Sequence, residues 1–84
     1  MKFKVSRLYS YGQHPFVWDE TVILKKSTVD RWIQRWRKRA REDAFTFVRD
    51  YRDADGLGNV ELHYYFHGVP NARRMTIEKV NDVD

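Results

Sequence analysis

Cysteine is absent from the 84-residue sequence, proline occurs twice and glycine four times. Without thiols the chain has neither a disulfide framework nor a thiolate zinc site, and a reducing cytoplasm is the expected compartment. No linker, internal repeat or low-complexity tract interrupts it, so residues 1–84 read as a single domain. Long apolar runs are lacking as well. The opening Met1-Lys2-Phe3-Lys4-Val5-Ser6-Arg7 alternates in character instead of presenting the roughly 7–15 apolar residues of a secretion signal. Nothing approaches the roughly 18 apolar residues of a membrane span, and no membrane partner is expected.

The constellations of catalysis are missing too. There is no serine nucleophile elbow, no phosphate-cradling glycine loop and no zinc-protease histidine pair. Asp53-Ala54-Asp55-Gly56 resembles half of a calcium loop, but Tyr51 then stands at the first ligand position and Leu62 where a bidentate Glu is needed. His63 and His67 have a spacing that suits metal ligation on a helix. On a strand four residues span roughly 13 Å, too far for one ion. The expectation is a protein that is not an enzyme and carries no metal and no cofactor.

What the sequence does contain is aromatic surface: five Phe, five Tyr and three Trp. A domain this small buries only about 60% of its unfolded surface, so large rings are an efficient way to build its core. Phe3, Val5 and Tyr9 recur at even spacing and predict a first strand ending near Ser10, broken in pattern at Arg7. Gly12 to Pro15 forms a turn, and the β-branched and aromatic segment Phe16 to Lys25 predicts an antiparallel partner. Ser27, followed by Asp30, signals a helix start, and helical periodicity extends to about residue 44. Phe45 to Arg52 alternates again. Asp53 to Asn59 is a turn by composition, Val60 to His67 a further strand, Gly68 to Asn71 a turn and Arg74 to Val80 a last strand. The predicted fold class is α+β in the order ββαβββ, one amphipathic helix on one face of an antiparallel sheet of about five strands. Residues 81–84 are expected to fray.

Phe45-Thr46-Phe47-Val48 resembles the Phe-x-Phe-Val centre of the strand motif in RNA-recognition-motif domains, whose aromatics stack on bases. The basic residue and Gly that flank that motif are replaced by Asp43 and Ala44. One helix also cannot supply a βαββαβ order, so Phe45 and Phe47 are assigned to the core.

The helix carries the main functional signal. With Trp32 at 0° and about 100° per residue, Trp36, Val29, Ala40, Ile33 and Ala44 fall at about 40°, 60°, 80°, 100° and 120°, a continuous apolar stripe. Asp43 intrudes at about 20°, which predicts a last turn that leaves the core. The opposite arc is almost wholly cationic. From Lys25 to Arg41 there are eight basic residues (Lys25, Lys26, Arg31, Arg35, Arg37, Lys38, Arg39, Arg41) against Asp30 alone, a local charge of +7 in a chain of net charge +4. Like charges one turn apart cost roughly 0.2–0.5 kcal/mol per pair, so local stability does not ask for this arrangement.

Arg31, Arg35, Arg37, Lys38, Arg39 and Arg41 are therefore the expected binding residues, with phosphates the natural anions. The first expectation is nucleic-acid association through the phosphate backbone with little base specificity. The alternative is a small regulator or inhibitor that docks on a larger, acidic protein, where the same charges steer association. A solvated face paired to acids of the same chain competes with both. Because one helix covers one face of a sheet, alternation in the fourth strand assigns Leu62, Tyr64 and Phe66 to the helix side and His63, Tyr65 and His67 to an open face. That face is a second contact surface, through which two copies could also pair.

Overall fold

Alternation of buried and exposed residues along each strand places one sheet against one helix, and a computed structural model describes residues 2–80 in that arrangement. The elements are β1 (Lys2–Tyr11), β2 (Val17–Lys25), α1 (Lys26–Glu42), β3 (Phe47–Arg52), β4 (Gly58–Phe66) and β5 (Val69–Lys79). All neighbouring strands pair antiparallel, in the order β2-β1-β5-β4-β3. The α+β class and the ββαβββ order match the sequence reading. The predicted fraying at 81–84 falls outside the described residues.

Registers define the two faces. Val5 stands opposite Val22 and Ile77, and Val60 opposite Met75. With Phe3 they meet Val29 and Ile33 of α1 in the buried core, flanked by Leu24, Trp32 and Trp36. Ile33 is the helix residue most completely enclosed, at 1% exposure. The same face continues along β1 as Arg7, Tyr9 and Tyr11.

Several local boundaries differ from expectation, each for a physical reason. The helix starts one residue early: Lys25 occupies the cap position without a side-chain hydrogen bond, and Lys26 Nζ donates to Asp30 Oδ2 at 2.8 Å within the helix. Ser27 is thus a helical residue, not the cap. At the other end α1 stops at Glu42, and Asp43 adopts extended geometry while its amide donates to the Arg39 carbonyl at 3.1 Å. Its carboxylate accepts from the Phe45 amide at 2.9 Å and the Thr46 hydroxyl at 2.8 Å. Asp43 therefore closes the connection to β3, which explains a polar residue on the apolar stripe. Phe45 and Phe47, assigned above to the core, are 73% and 46% exposed. Phe45 lies in that connection, and Phe47 points to the face away from the helix, where it stacks on His63 with centroids 4.9 Å apart.

The β4–β5 connection is tighter than predicted. Phe66 pairs with Val69, so only His67 and Gly68 turn the chain, both at positive φ (52° and 77°). That is the two-residue hairpin whose twist matches the flanking strands. It moves His67 out of the strand, and lengthens β5 to begin at Val69.

The β3 edge is tied to the helix by charge. Arg37 Nη2 donates to Asp50 Oδ2 at 2.7 Å, and Arg52 Nε donates to Asp50 Oδ1 at 2.9 Å. The hydrogen-bonded Arg52 guanidinium, aided by Arg37, holds the Asp50 carboxyl below its ordinary range despite an opposing effect of burial. A depressed folded-state value means stability fully present above the unfolded value of about 3.9 and lost as pH falls through the folded one. Asp50→Asn should therefore flatten the acid side of a plot of urea midpoint against pH, from about pH 5 downwards. Superimposable profiles for parent and variant would mean that this cluster adds nothing to acid stability.

Candidate functional site

A helix of 17 residues is about 25 Å long, whereas the 11 residues of β5 extend to roughly 36 Å. The helix leaves β2 at one sheet edge and delivers the chain to β3 at the other, so it crosses the sheet obliquely and leaves two corners of its own face uncovered. One corner lies beneath the β3–β4 loop, where Asp30, Asp50, Asp53 and Asp55 gather with Lys26 and Arg52 around a hollow of about 400 Å³. The other lies beyond the C-terminal half of the helix. It is a groove of about 570 Å³ bordered by Tyr9, Tyr11, Trp36, Tyr64, Asn71 and Arg73.

The cationic helix face divides between its two flanks. On the β3 side, Arg37 is taken up by Asp50, and Arg41 lies with Ala40, Thr46, Phe47 and Val48 along a shallow depression. On the groove side, Arg35 borders a cleft with Arg7, Trp32 and Trp36, and Arg39 places its guanidinium 4.8 Å from the Tyr64 ring centroid. Arg31, Arg35 and Arg39 follow one another by four residues, about 6 Å of rise each. Among the described residues none of these three, nor Arg41 or Arg73, has a carboxylate within 4.0 Å. Lys38 Nζ stands 3.9 Å from Glu42 Oε1, both side chains being largely exposed. A pair that loose contributes about 0–1 kcal/mol and leaves Lys38 free to exchange partners.

Acids near the sheet are engaged elsewhere. Arg7 Nη1 donates to Glu20 Oε1 at 2.6 Å, with the Arg7 guanidinium 5.2 Å from the Trp32 ring centroid. Glu61 is 7% exposed although it belongs to the face away from the helix. Its carboxylate accepts from Arg74 Nε at 2.9 Å, and His63 Nε2 lies 2.8 Å away. Arg74 in turn sits 4.0 Å over the Phe16 ring, which roofs the ion pair.

Of the residues assigned to the open sheet face, only Tyr65 remains an exposed ring of that face. His63 is half-buried, held between Phe47 and Glu61, and His67 lies in the turn with its ring edge-on to Phe66. The sequence reading missed the groove residues Tyr9, Tyr11, Trp36, Tyr64, Asn71 and Arg73. A signal was available: Tyr9 and Tyr11 share the parity of Phe3 and Val5 in a strand too long for the helix to cover. Comparisons with protein-family models, curated proteins and solved structures return no match. Among the described residues no helix is long and apolar enough to cross a membrane.

Proposed function

We propose that this chain is a non-enzymatic nucleic-acid-binding module whose phosphate contacts come from Arg31, Arg35 and Arg39, extended by Arg41 and Lys38. The observation that carries the reading is the unpaired line of guanidiniums on the groove side of α1. No carboxylate of the described residues comes within 4.0 Å of it, Asp43 reaching Arg39 only through its longer-range field, while Glu20, Asp50 and Glu61 neutralise other cations. Guanidiniums in a row bind phosphate oxygens as forks, and each neutralised phosphate releases counterions. Arg37, satisfied by Asp50, is left out of the contact set.

Fluorescence anisotropy of a labelled oligonucleotide tests the proposal. Three to five phosphate contacts give a slope of log K against log salt of roughly −2 to −3.5 for a single strand, a loss of roughly 16- to 130-fold between 50 and 200 mM. Absence of binding at about 50 mM salt sinks the proposal and turns attention to an acidic protein surface.

A further inference from the structure

We propose that the groove beside Arg39 takes an unpaired base, so that the nucleic acid this module selects is single-stranded. The proposal rests on the nucleic-acid reading above and adds to it the class of strand that is bound.

A phosphate-binding ladder alone is satisfied by any nucleic acid, but here the ladder borders aromatic rings. Tyr11 and Tyr64 both stand opposite Asn71, one from each side, so the three residues form a row across β1, β5 and β4 on the helix side of the sheet. Two strand spacings separate the tyrosine backbones by roughly 10 Å, with the smaller Asn71 between them. Tyr9 precedes Tyr11 by two residues on β1 and is half-exposed, as is Tyr11 at 55%. A core needs no such exposure. Base-sized rings fill a groove of about 570 Å³ comfortably, since small-ligand sites occupy roughly 300–1,000 Å³.

Polar groups in the groove match a nucleotide. Arg39, over the Tyr64 ring, brings a positive charge to the groove wall, and Arg73 stands opposite Tyr9 on the neighbouring strand. Asn71 Nδ2 donates to the Val69 carbonyl at 2.8 Å, which fixes the amide and leaves Oδ1 able to accept from a base N–H, such as N3–H of thymine or uracil. Asp19 is the acid at the rim, on the β2 side. Phosphates are repelled from there towards Arg39 and Arg73, which orients the strand across the groove. A duplex cannot use this site, because its bases are stacked inside the helix and only their edges reach a protein. Unpaired bases stack on aromatic rings with little regard to sequence.

The test uses the intact chain with labelled oligo(dT), oligo(U) and a blunt DNA duplex of equal length. Single strands should bind at least about 10-fold tighter than duplex and quench tryptophan emission, with Trp36 at the groove wall. Tyr11→Leu, at an exposed position, should lose roughly 5- to 100-fold for single strands and nothing for duplex. Its salt slope should match the parent's, because stacking releases no counterion, and equal melting temperatures confirm that the variant is folded. Equal affinity for duplex and single strand, with Tyr11→Leu indistinguishable from the parent, overturns base binding while leaving phosphate association intact. Failure to bind any of the three probes at about 50 mM salt overturns both.

Discussion

A chain carrying Arg35→Ala and Arg39→Ala should bind a single-stranded oligonucleotide about 25-fold more weakly than the parent near 0.1 M salt. Each phosphate contact to a single strand contributes about 0.7 to the slope of log K against log salt, so two lost contacts reduce it by about 1.4. Referred to 1 M salt, that is the stated loss at 0.1 M. Arg35 and Arg39 are the informative pair because they lie one turn apart on the groove flank and have no carboxylate within 4.0 Å among the described residues. Removing them relieves like-charge repulsion but gives up the contact of Arg39 with the Tyr64 ring, opposing effects of about 1 kcal/mol or less each, so the variant should melt close to the parent. Arg37→Ala is the contrasting substitution. Its guanidinium is held by Asp50 at 2.7 Å, so its loss should leave affinity within about twofold and weaken the α1–β3 tie instead. If Arg37→Ala and the double variant lose affinity equally, the helix acts as a diffuse cationic patch and the division between its flanks has no functional meaning.

The apolar stripe of α1 was legible because Val29, Trp32, Ile33, Trp36 and Ala40 repeat at the helical period, a local property of the chain. The hairpins were legible for a similar reason, since β1–β2 and β3–β4 are joined by short turns rich in turn-forming residues. Pairing of β1 with β5 was not, because it joins the two ends of the chain and leaves no local mark. The faces of the edge strand β3 were misjudged on the same account. Phe47 alternates like a core residue, yet its register with His63 puts it on the side away from the helix. Glu61 reads as a surface acid until pairing sets it opposite Arg74. The cationic helix itself was visible as a composition. What could not be read was that Asp50, contributed by the next strand, removes Arg37 from it, while an oblique crossing leaves Arg39 beside Tyr64.

The stability counterpart lies in the β3–β4 hairpin, where Gly58→Ala should destabilise the fold by about 2–4 kcal/mol. The loop before it is locally well braced: the Asp53 carboxylate accepts from the Asp55 and Leu57 amides at 2.9 and 3.0 Å, and the Asp53 amide donates to the Leu57 carbonyl at 2.8 Å. The chain must then re-enter the ladder at once, with Gly58 opposite Arg52 on one side and Ile77 on the other. It does so at a φ of 133°, a conformation that side chains rarely adopt. A Cβ there would also press into the Tyr51 carbonyl and sit 3.1 Å from Arg52 Cα. Both obstacles are backbone, so neither yields by a change of rotamer, and relief requires the hairpin to open next to the core residues Val60 and Ile77. For a domain of this length whole-fold stability is about 4–13 kcal/mol, so the melting temperature should fall by roughly 10–25 °C. Gly68→Asn is the matched control: φ is 77° there, but no atom lies within 4 Å of an added Cβ, and asparagine suits that hairpin turn. It should cost less than about 1 kcal/mol. Thermal melts followed by circular dichroism separate the two, and a Gly58→Ala protein melting within about 2 °C of the parent would show that the loop, not the ladder, absorbs the added methyl group.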